Sequence, residues 1–278
     1  MRSGFATLLG RPNVGKSTLL NQILGTKVSI VSNKVQTTRY AVRGVLTRPD
    51  AQIVFVDTPG IHKPRTRLGS RLNATAEDAL DGVDVVCLLL DATAPMGRGD
   101  QFVAGLCPPD ALVIVNKIDR ASKDQVITQL AAASTLERAD YFPVSAKTGE
   151  GVDVLVDAIA ARLPEGPLLY PADQVSDTTD EAWASELVRE QLLAVLREEL
   201  PHSVTCRVVD WDWPMVKIEI LVERESQKGI VIGKKGEVLK QVGIAVREQM
   251  PEGVFLDLVV KVDKDWQRRD ASLDRLGF

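Results

Sequence analysis

Histidine and cysteine are scarce in this chain, with two and three copies among 278 residues. His62 and His202 are far apart, and no Ser/His/Asp triad, catalytic carboxylate pair or zinc cluster can be assembled. Cys87, Cys107 and Cys206 show no C-x-x-C or other metal spacing, so all three are expected to be reduced and structural. Charge of one sign is lacking too: 34 Lys and Arg face 38 Asp and Glu, a net charge of −4. Nothing draws the whole molecule to nucleic acid, so any RNA contact must rest on a local patch. Long apolar runs are missing: none reaches the ~20 residues that a membrane helix needs. A strand begins almost at residue 1, leaving no space for a signal peptide, and a cytoplasmic protein is expected. What remains is ordinary for a globular protein, 45% hydrophobic and 26% charged, and long enough for two domains with separate cores.

The organising stretch is Gly10-Arg11-Pro12-Asn13-Val14-Gly15-Lys16-Ser17, between the apolar run Phe5–Leu9 and a helix-like segment that begins with Ser17 and Thr18. G-x-x-x-x-G-K-S between a strand and a helix turns backbone N–H groups inward and aims a helix N-terminus at the same point. Polyphosphate is held there by aligned dipoles. Lys16 adds a full positive charge for the terminal phosphates, and the Ser17 hydroxyl is placed to ligate Mg²⁺. Residues 10 to 18 are therefore candidate nucleotide contacts.

The polar segment Lys27–Tyr40 ends in Gln36-Thr37-Thr38-Arg39 and has the position of a first switch. A threonine here can give its hydroxyl to Mg²⁺ and its N–H to the terminal phosphate, and of the two Thr38 is the one expected to do so. An ordinary exposed pair of threonines is the alternative. Two strands, Tyr40–Thr47 and Gln52–Val56, read as an antiparallel hairpin at the sheet edge. The second delivers Asp57-Thr58-Pro59-Gly60: Asp57 can hold Mg²⁺ through water and the Gly60 N–H can meet the terminal phosphate. The following stretch, Ile61 to Arg71, is basic and broken by Pro and Gly, as a second switch or a solvated loop would be.

Val83–Leu90 and Ala111–Val115 are continuous apolar strands of a buried parallel sheet. The second ends in Asn116-Lys117-Ile118-Asp119, where the base is chosen. A carboxylate accepts from the ring N1–H and exocyclic amine of guanine; adenine offers no such pair, and an unpaired buried polar group costs about 1–3 kcal/mol. Asn116 would tie this loop to the phosphate loop, and the Lys117 stem would lie on the base. Tyr141–Val144 then leads to Ser145-Ala146-Lys147, whose Ala146 N–H can meet guanine O6. Each signal falls at a strand end on one edge of one sheet, which describes a doubly wound α/β domain over residues 1–163.

Residues 164–180, rich in Pro, Asp and Thr, read as a linker. Residues 181–278 open with a helix over Glu181–Leu200 stopped by Pro201, then two strands, Ser203–Val209 and Met215–Glu223. The segment Gln227–Lys240 reads as helix, G-x-x-G turn, helix. Gly233 and Gly236 admit a sugar-phosphate backbone, Lys234 and Lys235 attract phosphates, and Lys228, Lys240 and Arg247 could extend that patch. Ile230, Val231 and Ile232 are expected on one side of a groove for single-stranded bases, with Phe255–Val262 on the other. This is the form of an α+β, type II KH domain; a helix–turn–helix that merely packs is the alternative. Trp211 and Trp213 are expected at a packing rim, and Trp266 is a candidate for an RNA-facing edge.

With GRPNVGKS, QTTR, DTPG, NKID and SAK followed by VIGKKG, the chain closely resembles the Era family of ribosome-assembly GTPases over essentially its whole length. The resemblance implies a P-loop GTPase domain with a mixed, mostly parallel sheet, followed by the KH domain. It also implies a cytoplasmic GTPase, expected to be a monomer and with peripheral association at the inner membrane face left open, that binds the 3′ end of 16S rRNA and assists small-subunit maturation. RNA binding would be favoured by GTP, and hydrolysis stimulated by RNA. Lys16, Thr38, Gly60 and Asn13 would carry catalysis, with Ser17, Thr38 and Asp57 at Mg²⁺. In related GTPases an asparagine at the position of Asn13 helps bind K⁺ between the phosphates. One departure from Ras-like switches is Ile61, which cannot orient a water as their glutamine does, so slow intrinsic hydrolysis is expected; Arg39 is an outside candidate for a finger. A protein- or membrane-docking module whose KH-like domain binds no RNA remains the alternative.

Overall fold

A computed structural model describes all 278 residues. The chain forms two compact units: Met1–Val31, Thr38–Pro64 and Gly69–Asp177 make the first, and Thr178–Phe278 with the short segments Ser32–Thr37 and Arg65–Leu68 the second. No helix is long and apolar enough to cross a membrane.

The first unit is built on six strands: β1 (Arg2–Gly10), β2 (Val42–Thr47), β3 (Ala51–Asp57), β4 (Val85–Asp91), β5 (Leu112–Asn116) and β6 (Asp140–Pro143). Their order is β2-β3-β1-β4-β5-β6; β2 runs antiparallel to β3 and every other pair is parallel. Helices α1 (Lys16–Leu24), α2 (Arg67–Asp78), α3 (Arg98–Leu106), α4 (Lys123–Ser134) and α5 (Val152–Arg162) cover it. Successive residues of a strand face opposite ways, and here both faces are apolar. Leu8, Leu89 and Ile114 enter one core with Leu19, Leu155 and Ile159, while Leu9, Leu88 and Val113 enter the other with Val103 and Ala133. Double burial explains the unbroken apolar runs. It also leaves only the carboxyl ends of the strands, where loops emerge, for polar chemistry.

The stretch expected as a linker is bound to the first unit as far as Asp177. Val45 N–H donates to the Val175 carbonyl, the Ser176 hydroxyl to the Arg43 carbonyl, and the Gln52 amide reaches the backbone of Leu169 and Tyr170.

The second unit carries a sheet of β7 (Thr205–Asp212), β8 (Met215–Val222) and β9 (Phe255–Val262), antiparallel between β7 and β8 and parallel between β8 and β9. Helices α6 (Asp180–Val195), α8 (Glu225–Ile232) and α9 (Glu237–Arg247) join its core, in which Leu187, Ile218, Ile220, Val242 and Val246 meet. One expected helix is broken: α6 ends at Val195 with Leu196 extended, and a short α7 (Leu200–Ser203) follows. Pro201 opens that helix rather than stopping one, because the first helical N–H groups have no intrahelical partner to lose. Trp266, taken from the sequence as an RNA-facing edge, is instead fully buried in a single turn over Trp266–Arg268. Its indole N–H donates to the Ser203 carbonyl at 2.9 Å, and its ring stacks on Phe278. Trp211 packs against the core and Trp213 stays half exposed at the β7–β8 turn.

Candidate nucleotide site and RNA groove

β1 hands over to α1 through the loop Arg11–Gly15, and the sequence-predicted phosphate contacts lie along it. Lys16 is buried, with its ammonium donating to the carbonyls of Gly10 and Arg11, each at 3.3 Å. Burial pulls its pKa down to about 8 against the opposing pull of the Asp57 charge. The Asp57–Gly60 loop is tied to the same place: Ile61 N–H donates to the Gly10 carbonyl. Gly60 presses on the loop so closely that a Cβ there would meet the Pro12 backbone at 2.7 Å, which only glycine avoids. Thr58 faces elsewhere, its hydroxyl donating to the Leu8 carbonyl at 2.9 Å, so its side chain buttresses the strand. Ile61 is buried in the core and Arg39 is buried as well.

Three hydroxyls converge on one oxygen of Asp57. Ser17 Oγ lies 2.7 Å from Asp57 Oδ2, Ser29 Oγ 2.9 Å and Thr38 Oγ1 3.4 Å, with Ser17 and Thr38 3.0 Å apart. Asp57 Oδ1 is buried with no hydrogen-bond partner. Burial pushes the Asp57 carboxyl above its usual range, and Lys16 with the three hydroxyls pulls the other way. No cluster of three His, Cys, Asp or Glu exists anywhere in the chain. A hard-oxygen donor set this small, with one buried carboxylate oxygen unspent, suits Mg²⁺, which keeps waters and phosphate oxygens for most of its shell. Ser17 and Thr38 would hold it directly and Asp57 through water.

At the end of β5, Asn116 joins the two loops as expected, its amide donating to the Val14 carbonyl at 2.9 Å. Its Oδ1 accepts from Lys117 N–H and Ala146 N–H, so the backbone group expected to meet guanine O6 is held here by Asn116. Lys117, left-handed at φ 69°, bridges the Asn13 carbonyl at 2.5 Å and Asp91 Oδ2 at 2.6 Å. Burial works against ionised Asp91, but hydrogen bonds from Lys117 and Thr93 prevail and hold its carboxyl below the usual range. Asp119 is exposed, with one oxygen taken by the Ser145 hydroxyl at 2.7 Å, and Thr148 N–H fixes that hydroxyl in turn. Lys147 is exposed beside it.

Sequence reading missed three supports. Asp91 steers Lys117. Asp100 pairs with Arg11 at 3.1 Å while accepting from Gly97 N–H. Ser29 sits on Asp57. The one available signal was Asp91, a carboxylate closing an apolar strand on the functional edge.

In the second unit, α8 ends at Gly233 and α9 starts at Glu237. Gly233, Lys235 and Gly236 all take positive φ (76°, 55° and 79°). A Cβ on Gly233 would strike Val238 at 2.5 Å, so the sharp turn demands glycine there. Lys234, Lys235 and Lys240 are exposed, Lys228 and Ile232 half-buried, and Ile230 is 56% exposed. Val231 departs from expectation. It is fully buried in the core and lines no groove, because adjacent residues of a helix point about 100° apart and α8 must spend one of its three apolar residues on the sheet. β9 lies at the sheet's edge.

Fold and site together define a class: a P-loop GTPase domain followed by a KH domain. Comparison with known proteins agrees. A family model for a 50S ribosome-binding GTPase matches residues 5–117, and one for the KH domain residues 199–267. GTPase Era of Mycobacterium tuberculosis is 46% identical over 296 aligned positions, covering 99% of this chain and 98% of that protein. An Aquifex aeolicus Era variant bound to GDP·AlF4⁻ superposes with a TM-score of 0.94 at 38% identity, covering 100% of this chain and 99% of that one. An Era bound to MgGDPNP and nucleotides 1506–1542 of 16S ribosomal RNA matches equally, with a TM-score of 0.94, 37% identity and the same coverage. The chain belongs to the Era family of GTPases.

Proposed function

We propose that this chain is a GTP-driven switch that binds the 3′ end of 16S rRNA through its KH groove and assists assembly of the small ribosomal subunit, as a cytoplasmic monomer. The observation that carries the reading is the meeting of Ser17, Thr38 and Asp57, from three separate segments, around one carboxylate oxygen. Two of those segments are the ones a terminal phosphate would order. The RNA half is supported by the exposed lysines of the G-x-x-G turn and by the solved Era that holds 16S rRNA. The GTPase domain is taken as 1–177, since residues 164–177 are bonded to its sheet, and the KH domain as 178–278.

When bound, Mg²⁺ supplies neutralisation of the charge between the last two phosphates. Lys16 contributes a buried cation to the terminal phosphates, where low dielectric strengthens it. Thr38 and Gly60 offer their N–H groups to the γ-phosphate and so sense its presence. Asp119 selects guanine, and Asn116 keeps the base and phosphate loops in register. Water attacks in line, and placement with charge neutralisation does the catalysis. Ile61 has no polar group to orient that water and lies in the core, which keeps intrinsic turnover slow. Asn13, left-handed at φ 65° in the phosphate loop, is proposed to help hold K⁺. Turnover should rise in K⁺ and not in Na⁺; equal rates, or an Asn13→Ala variant with an undiminished K⁺ response, would remove that role.

The test is binding of a fluorescent oligonucleotide matching the 3′ end of 16S rRNA, with the protein loaded with a non-hydrolysable GTP analogue or with GDP. Tighter, sequence-dependent binding in the GTP state is expected. Equal binding would remove the nucleotide control, and no binding in either state would point to a protein- or membrane-docking role for the KH domain.

A further inference from the structure

At the start of the segment read as a first switch, ahead of its Gln36–Arg39 motif, one further hydroxyl sits on the metal-site carboxylate. Ser29 is 2% exposed and donates to Asp57 Oδ2 at 2.9 Å. Its backbone is fully committed to a single side chain. Asn21 Oδ1 accepts from the N–H groups of Val28 and Ser29, each at 3.0 Å, and Asn21 Nδ2 donates to the Ser29 carbonyl at 2.8 Å. Buried Val28 and Ile30 anchor the strip on either side. With its N–H and C=O spent on Asn21, Ser29 has only the hydroxyl left to place, and that hydroxyl goes to the carboxylate.

We propose that Ser29 is a positioning residue of the metal site, fixing the Asp57 carboxylate, and that Asn21 is the clamp that presents it. The proposal rests on the nucleotide–Mg²⁺ reading of Ser17, Thr38 and Asp57. Those two hydroxyls have a second duty, since each must turn its oxygen toward a bound cation. Ser29 is outside the expected ligand set, so Oδ2 keeps a donor whatever the other two do. The carboxylate then keeps its orientation, and Oδ1, buried and without a partner, is the acceptor left for metal-bound water. Asn21 follows Ser17 by four residues on α1, so one helix face carries both a metal ligand and the clamp. Partners that orient a ligand in this way are worth about 10–100-fold in metal affinity.

The experiment is release of a fluorescent GDP analogue from the full-length protein as free Mg²⁺ is varied with EDTA, a readout that needs no turnover. Ser29→Ala should raise the Mg²⁺ concentration for half-maximal retention by about 10–100-fold while leaving Mg²⁺-free release unchanged. Ser29→Cys, nearly isosteric but a poor donor, should do the same and carries the test if the alanine variant fails to fold. Asn21→Ala should shift the midpoint in the same direction and add nothing on top of Ser29→Ala. A wild-type midpoint in Ser29→Ala, wild-type behaviour of Ser29→Cys, or a change as large without Mg²⁺ as with it would overturn the proposal. Failure of the underlying reading looks different: the unaltered protein would then show no Mg²⁺ dependence.

Discussion

Asp119 projects at the sheet edge with one carboxylate oxygen steadied by Ser145. Replacing it by asparagine puts a donor where guanine's amine needs an acceptor. A lost bond to a charged acceptor is worth about 1.5–3 kcal/mol, so Asp119→Asn should weaken GDP binding by about 10–150-fold. Calorimetric titration would measure this, and a loss under tenfold would remove Asp119 from base selection. Residues of this kind are legible in a sequence because the chemistry constrains consecutive positions: a loop that cradles phosphate, or a strand end that offers a carboxylate, is written in adjacent letters. Ser29 and Asp91 are not, since each acts on a partner far along the chain, Asp57 and Lys117, and nothing local distinguishes them from any buried serine or strand-end aspartate.

Among elements, α8 shows where pattern reading ran out. The triplet Ile230-Val231-Ile232 is uniformly apolar, so composition could not say which residue the core takes. Tertiary packing buries Val231 and leaves Ile230 exposed. The two should separate by experiment. Val231→Ala should cost about 2 kcal/mol of stability by cavity formation, seen in urea unfolding, whereas Ile230→Ala should melt like the parent and weaken RNA binding. The break between α6 and α7 was hidden for a related reason: the apolar positions continue across Leu196 and Leu200, and proline serves helix starts as well as stops. The sheet carries its own pH response. Glu219 on β8 is held by Lys261 and by Arg207 at 2.7 Å. Burial would raise its carboxyl, but these hydrogen bonds prevail and hold it below the usual range. A depressed carboxyl contributes its stability fully above about pH 4.3, and that contribution is lost as pH falls through the folded value. Melting temperature should therefore fall more steeply in the parent than in Glu219→Gln as acid is added below that pH, and parallel curves would rule the network out.

For the whole molecule, a net charge of −4 coexists with a nucleic-acid surface because the cations are concentrated. Lys234 and Lys235 stand exposed at a turn flanked by glycines. Removing both charges with glutamine should lower oligonucleotide affinity and flatten its salt dependence by about 1.4 log–log units, if each neutralises one phosphate of a single strand. An unchanged slope would place the RNA elsewhere. Domain order and fold class were readable from motif succession and from the Pro-, Asp- and Thr-rich break over residues 164–180. The path of residues 164–177 was not, because proline-rich composition reports only an absence of regular structure. The bonds that stitch this strip to Val45 and Arg43 cover the outer side of β2. An open strand edge invites pairing with any extended chain, including another copy of itself, and proteins blunt such edges to stay dispersed. A first domain cut at Leu163, where composition suggests its end, would expose that edge and precipitate on storage, while one carried through Asp177 would remain in solution.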